Sequence, residues 1–123
     1  MHGMPDSQPR LTSPLGRITI SSGAVAQIVA RTAAECPGVV GMAARGRERV
    51  VRLLPRARAL QGISVSSNGN GVEIDLRVVV EHGLNLAEVA ASVRSRVAYE
   101  VERLTGLRIA SIDVHIEDVR GTA

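Results

Sequence analysis

The chain has 123 residues, enough for one domain with a modest hydrophobic core and too few for two. It contains no Trp or Phe and only one Tyr, so its core must be aliphatic, and its single cysteine excludes an intrachain disulfide. No stretch approaches the roughly 18 apolar residues that a membrane span requires. The composition predicts one soluble domain, most simply cytoplasmic.

The formal net charge is +3, and all 15 basic residues are arginines. Residues 45–58 hold six arginines against one glutamate, a local charge of +5 that leaves −2 for the remainder. The positive charge is therefore a property of one segment and not of the whole domain. This Arg-rich segment comprises Arg45, Arg47, Arg49, Arg52, Arg56 and Arg58.

The chain begins with a polar stretch that is interrupted by prolines. Such a composition predicts a disordered tail over residues 1–15, followed by a single domain over residues 16–119 and a short tail at 120–123. At the start of that domain, residues 16–20 read as a short strand with Ile18 and Ile20 directed inward.

The first helix is predicted over about residues 23–35. Ser21 or Ser22 supplies its N-cap, and Pro37-Gly38 ends it. A second strand then begins at Val39 and runs toward Met42. The apolar positions of the helix recur at steps of three and four residues, at Val25, Ile28, Val29, Ala33 and Cys36.

Residues 44–60 are compatible with either a basic amphipathic turn or an edge strand, and Pro55 ends whichever forms. Ile63 and Val65 open the next strand. The following Asn68-Gly69-Asn70-Gly71 is a strong hairpin signal, because both residue types tolerate positive φ. The sequence thus predicts antiparallel pairing of residues 62–67 with 72–81.

Residues 72–81 show the strongest pattern of the chain, because apolar and polar residues alternate as in a strand with one wet side. The inward set is Val72, Ile74, Leu76, Val78 and Val80. The outward set is Glu73, Asp75, Arg77 and Glu81.

The second helix has an N-cap at Asn85, a capping-box partner at Glu88 and a C-terminal cap at Gly106. Its predicted apolar stripe comprises Leu86, Val89, Ala90, Val93, Val97, Val101 and Leu104. A last strand directs Ile112, Val114 and Ile116 inward. The apolar residues before it, Leu107 and Ile109, fall on odd-numbered positions and these fall on even-numbered ones, which predicts a bend or bulge near Ala110.

These elements predict a two-layer α+β fold, with the order β-α-β then β-β-α-β and with two helices on one face of a mixed sheet. The opposite sheet face is predicted to be polar and suited to a partner. Its candidate contact residues, here called the polar face, are Glu73, Asp75, Arg77, Asp113, His115 and Glu117.

The order and spacing of several short motifs resemble the alkaline shock (Gls-type) family of envelope stress response proteins from Gram-positive bacteria. The motifs include Gly16-Arg17-Ile18, Pro37-Gly38-Val39, Glu81-His82-Gly83 and Leu104-Thr105-Gly106-Leu107. The resemblance covers residues 16–119, although His82 stands where the family often has an aromatic residue.

The resemblance implies a non-enzymatic cytoplasmic protein of the envelope stress response. Members of this family gather at the inner membrane surface through a membrane-anchored partner that carries the same domain. The resemblance implies no catalytic or ligand-binding residues.

The residues themselves also argue against an enzyme. The three histidines are far apart in sequence, and no Glu-x-x-His, Cys-x-x-Cys or Gly-x-Ser-x-Gly motif occurs. His115, between Asp113 and Glu117 and in reach of Asp75, is better interpreted as part of an exposed polar row than as an acid/base site. Cys36 is interpreted as a small buried hydrophobe. We expect no metal, cofactor or small-molecule substrate.

The Arg-rich segment suits an anionic partner. At about 1 kcal/mol per basic residue it would contribute on the order of 5 kcal/mol at an anionic bilayer, which is a weak, sub-millimolar contact. Recruitment to a membrane would therefore need a protein partner or several copies acting together.

The sequence accordingly predicts an adaptor or scaffold that acts through protein association, including self-association, near the cytoplasmic face of the membrane. The alternative is a small nucleic-acid-binding module that uses the Arg-rich segment on phosphates. The lack of aromatic residues disfavours the alternative, because it removes the platforms on which bases stack.

Overall fold

The computed structural model describes residues 10–12, 18–43 and 62–121. The Arg-rich segment lies outside these ranges, and so does the choice between turn and strand for residues 44–60. In chain order the elements are β1 (Arg10–Thr12), β2 (Thr19–Ser21), α1 (Ser22–Ala34), β3 (Val39–Met42), β4 (Ile63–Asn68), β5 (Gly71–Glu81), α2 (Leu86–Thr105) and β6 (Ile109–Arg120).

The main sheet is assembled around β5. This strand pairs antiparallel with β4 through its first half and with β3 through its last residues, and it pairs parallel with β6 along its whole length. Strands β3 and β4 therefore share one edge of β5, and they meet at Arg77. The backbone N–H of Arg77 donates to the carbonyl of Gly62 at 2.9 Å, and its carbonyl accepts from the N–H of Ala43 at 2.9 Å.

Both helices pack on the same face of this sheet, α1 over β3 and β4 and α2 over β6. The predicted two-layer α+β fold with a mixed sheet is confirmed. The core between the layers is entirely aliphatic apart from Cys36. Its most deeply buried side chains are Val25, Val29, Ile74, Leu76, Val78, Val80, Val93, Val97 and Val101.

Side-chain and glycine caps define the helix ends. Of the two serines predicted to cap α1, Ser21 does so, and its Oγ accepts from the N–H of Ala24 at 3.1 Å. Asn85 caps α2 as predicted, accepting from the N–H of Glu88 at 3.0 Å. Gly106 ends α2 at φ 75°, a left-handed conformation that glycine adopts without strain.

The apolar stripe predicted for α2 is wrong at both ends. Leu86 is 38% exposed and Leu104 is 54% exposed, whereas Thr105 is buried. The Thr105 hydroxyl donates to the carbonyl of Val101 at 2.6 Å and accepts from the N–H of Leu107 at 3.0 Å, so its burial leaves no unsatisfied polar atom. The spacing of apolar residues shows which face of a helix is directed toward the core. It does not show how far the elements packed against the helix cover its two ends.

The predicted N-terminal boundary also needs correction. Residues 10–12 were assigned to the disordered tail, yet they form β1 and pair antiparallel with β2, and Leu11 opposite Ile20 is only 3% exposed. Ile18 was expected to point inward, but it precedes β2 and is 53% exposed. The strand β6 extends to Arg120, one residue past the predicted end of the domain.

The β4–β5 hairpin forms where it was predicted, with Asn68 opposite Gly71. The predicted bulge near Ala110 is also confirmed, because Val72 pairs with Ile109 and the next residue of β5 pairs with Ser111. A second bulge at Glu117 was not predicted. The longest segment in regular register beside β5 lies between these two bulges, and a shorter one follows at Asp118–Arg120.

We expect Leu76→Ala to lower the free energy of unfolding by roughly 2–5 kcal/mol, because the side chain is fully buried and its loss leaves a cavity. Leu104→Ala is the matched control, since the same atoms are removed from a largely exposed position and the change should stay within about 0.5 kcal/mol. Urea denaturation measures both. Equal losses for the two variants would contradict this description of the core.

Candidate functional site on the polar face

The six residues predicted for the polar face lie together on the sheet surface opposite the helices. Three come from β5 and three from β6, which are neighbouring parallel strands. In the register of this pair Asp75 lies beside Asp113, and Arg77 lies beside His115. Because alternate residues of a strand project to the same side, the parity seen in the sequence is enough to bring these side chains to one surface.

Two contacts between β5 and β6 order the polar face. Arg77 Nη1 lies 2.9 Å from Glu117 Oε2, and His115 Nε2 lies 3.3 Å from Asp75 Oδ1. The proximity of His115 to Asp75 that the sequence suggested is therefore present. All four side chains remain a quarter to a half exposed, so each contact adds at most about 1 kcal/mol to folding. Their main effect is to fix the positions of charges on the surface.

The polar face is predominantly acidic. Four carboxylates, those of Glu73, Asp75, Asp113 and Glu117, face one guanidinium and one imidazole. The side chain of Asp113, whose backbone pairs in the β5–β6 ladder, makes no hydrogen bond or ion pair with any other described residue and faces solvent. A partner that presents basic groups or hydrogen-bond donors would complement this surface.

Strand β4 extends the polar face with two exposed serines that the sequence reasoning missed. Ser64 lies beside Asp75 and Ser66 beside Glu73 in the sheet register. The signal was present, because Ile63-Ser64-Val65-Ser66 alternates like the neighbouring strand. A hollow of about 240 Å³ lies there, lined by Gly62, Ile63, Ser64, Asp75 and Arg77. It is smaller than the roughly 300–1,000 Å³ typical of small-molecule sites.

A larger hollow of about 520 Å³ opens at the opposite end of the sheet, between β1, the β4–β5 hairpin and the turn that precedes β6. The described residues that line it include two arginines and two asparagines but no histidine, cysteine or carboxylate. Within residues 10–12, 18–43 and 62–121, no three His, Cys, Asp or Glu side chains are grouped so as to hold a metal ion. The larger hollow and the acid/base groups thus lie in different places.

Cys36 belongs to the hydrophobic core, as the sequence predicted. Its side chain is 3% exposed, and its thiol donates to the carbonyl of Thr32 at 3.4 Å. Burial raises the pKa of the Cys36 thiol; Arg96 opposes the shift and Glu35 reinforces it. A protonated, buried thiol is a poor nucleophile and a poor metal ligand.

The six arginines of the Arg-rich segment lie outside the described residues, so the polar face is the candidate site with a known geometry. In the part of the chain that the structure describes, no helix is long and apolar enough to cross a membrane.

We expect Cys36 to react slowly with a thiol reagent in the folded protein and rapidly in concentrated guanidinium chloride. A cysteine introduced by Gln27→Cys in a Cys36→Ala background, at an exposed position of α1, should react rapidly in both states.

Because folding raises the pKa of the Cys36 thiol, the stability due to the neutral thiol is present below about pH 9 and is lost as the pH rises through the raised value. Equal native reactivity at both positions would contradict burial of the thiol.

A double-mutant cycle with Arg77→Met and Glu117→Gln should give a coupling of roughly 0.2–1 kcal/mol, since both side chains are partly exposed. The coupling should shrink as salt is added, because ions screen surface charges. Urea denaturation of the four proteins at two salt concentrations measures it. A coupling of several kcal/mol would mean that the ion pair supports the fold and does not merely order the surface.

Comparison with known structures finds MamM CTD variants at TM-scores of 0.48–0.49. A variant with a single substitution is 18% identical, and the match covers 79% of this chain and 94% of the MamM chain. A variant with three substitutions is also 18% identical, and the match covers 83% of this chain and 96% of the MamM chain. Similarity at this level transfers no function.

Sequence relatives are closer. Bacillus subtilis YloU is 30% identical over 114 residues, which cover 91% of this chain and 95% of YloU. Streptococcus pyogenes Spy1614 is 28% identical over 107 residues, which cover 85% of this chain and 88% of the relative. The model of a protein family with a cell envelope-related function matches residues 10–121, nearly the whole chain. The protein therefore belongs to the alkaline shock protein 23 family, a family of cell envelope-related function.

Proposed function

We propose that this protein is a non-enzymatic adaptor or scaffold of the envelope stress response, which binds other proteins through its polar face. The observation that carries the proposal is the character of that face. It is an open sheet surface whose charges are ordered by cross-strand contacts and whose hollow is too small for most ligands. Such a surface suits a macromolecular partner better than a substrate.

The charge of the polar face supports a protein partner with basic or donor-rich chemistry. Four carboxylates on neighbouring strands create a negative patch, which would attract lysine or arginine side chains and steer their approach. Arg77 lies beside these carboxylates, where it is positioned to pair with a partner carboxylate in place of Glu117. The serines of β4 add hydroxyl groups at the margin of the patch.

The proposed place of action is the cytoplasmic face of the membrane. Membership of an envelope-related family supports this location. Since the Arg-rich segment would give only a weak contact with anionic lipid, recruitment requires a partner that is itself anchored, such as a membrane-bound protein with the same type of domain.

Nucleic acid fits the polar face poorly, because phosphates would approach a surface with four carboxylates. The alternative function as a nucleic-acid-binding module would depend entirely on the Arg-rich segment. No contact among the described residues favours it.

In-cell cross-linking tests the proposal directly. A photoreactive amino acid at Ser66 lies on the exposed margin of the polar face, on the far side of β5 from β6. We expect it to capture a specific protein, whereas the same probe at Gln27, exposed on the helix layer, should not. Mass spectrometry identifies the adducts.

The variant Glu73→Arg, which reverses the charge beside Ser66, should reduce the Ser66 adduct several-fold. Retained thermal stability of this variant would exclude unfolding as the reason for a loss. Recovery of the same proteins from both probe positions, or of none from Ser66, would contradict the polar face as the docking surface.

A further inference from the structure

Among the described strands, β6 forms an open edge of the main sheet. It is 12 residues long and pairs with β5 alone among the described strands. Alternate residues of such an edge strand turn their backbone N–H and C=O groups away from the sheet, where they are free to pair with another strand. An open edge of this length is a potential interaction surface.

Natural edge strands are often protected by proline or by a charged side chain that points toward the core. Strand β6 contains no proline, and its positions on the helix side are Ile112, Val114 and Ile116. Val114 and Ile116 are only partly buried, so the apolar layer below the sheet continues to the open edge. This edge lacks both of these protections.

We propose that the β6 strands of two copies of this chain pair antiparallel about a two-fold axis and join their sheets into one. The proposal deepens the proposed function by naming a second copy as one of its protein partners. It is independent of which other protein binds the polar face.

The bulges restrict where the two strands pair. Ala110 and Glu117 each interrupt the register of β6, which leaves residues 111–116 as a regular segment of about 20 Å. In a symmetric antiparallel pair, facing residues must project to the same side of the sheet. The two-fold axis therefore passes beside Asp113, Val114 or His115.

Charge distinguishes these three registers. An axis at Asp113 places that carboxylate opposite its copy, and an axis at His115 places Asp113 opposite Glu117 of the second copy. Both juxtapose like charges. An axis at Val114 instead places Asp113 opposite His115 of the second copy, twice by symmetry, and it places Ile112 opposite Ile116.

The register centred on Val114 also fits the rest of the surface. Each His115 would lie between Asp75 of its own chain, 3.3 Å away, and Asp113 of the second copy, which otherwise has no partner among the described residues. On the other side of the sheet, the apolar side chains of the two β6 strands would cover one another. Because α2 packs over β6, the two α2 helices would flank the junction.

A joined sheet has a consequence for docking. The two polar faces become one continuous surface that carries two copies of each docking position. A partner with two binding segments, or an array of partners at a membrane, would bind such a dimer more tightly than a single copy.

Analytical ultracentrifugation of the wild type and two single variants tests the register. In His115→Asp, two carboxylates face each other at each contact, and in Asp113→Arg, a guanidinium faces His115. We expect each variant alone to dimerise at least about ten-fold more weakly than the wild type. A mixture of the two should recover heterodimers, because the introduced guanidinium then faces the introduced carboxylate and the remaining contact is native.

The control Gln27→Arg introduces the same positive charge at an exposed position of α1, which packs over β3 and β4, and should leave dimerisation unchanged. Circular dichroism melting of each variant confirms that it is folded. A wild type that stays monomeric up to about 1 mM would overturn the proposal. Unaltered dimerisation of both single variants, or folded variants that fail to pair in the mixture, would also overturn it.

Hydrogen exchange gives a second readout that does not depend on charge. The amides of residues 111–116 that point away from β5 should become protected as protein concentration rises, and those of β4 should not. Probe capture at Ser66 and analytical ultracentrifugation, both measured on the wild-type residues of the polar face, separate the two proposals. Capture without dimers would support the docking function alone, and dimers without capture would support the β6 edge alone.

Discussion

The alternation of side chains along β5 is the constraint on which the rest of the structure depends. This strand is paired along both edges, buries one set of residues beneath the helices and presents the other to solvent. A slip of one residue would exchange the two sets and place charges in the core. All three register irregularities accordingly fall in its partners, at Val40, Ala110 and Glu117, and none falls in β5 itself.

Features that depend on neighbouring residues could be read from the sequence. The alternation of β5, the Asn-Gly hairpin, the caps at Ser21 and Asn85 and the parity change at Ala110 each involve only a few adjacent positions. The features that were missed depend on distant parts of the chain. Burial of Leu11 requires β2 as its partner, and the exposure of Leu86 and Leu104 depends on where other elements stop.

The same distinction applies to the polar face. Parity alone predicted which side chains share the surface, but contacts between them depend on the register of two parallel strands. Glu117 is the extra residue of a bulge, and it reaches back to Arg77, whose neighbour in the register is His115. In a β6 strand without bulges, different residues would lie beside those of β5, and the side-chain contacts would differ. The location of a surface was therefore predictable, whereas its detailed charge arrangement was not.

The weakness of the ion pairs on the polar face is what makes them suitable for reversible association. A fully buried pair is costly to break, because each charge left behind loses its only compensation. Arg77 and Glu117 are 25% and 42% exposed, so water can solvate either group when the other leaves. A partner that offers an alternative counter-charge would therefore replace the internal contact at little cost to the fold. Because no charged side chain is part of the described core, the surface charges remain available for binding.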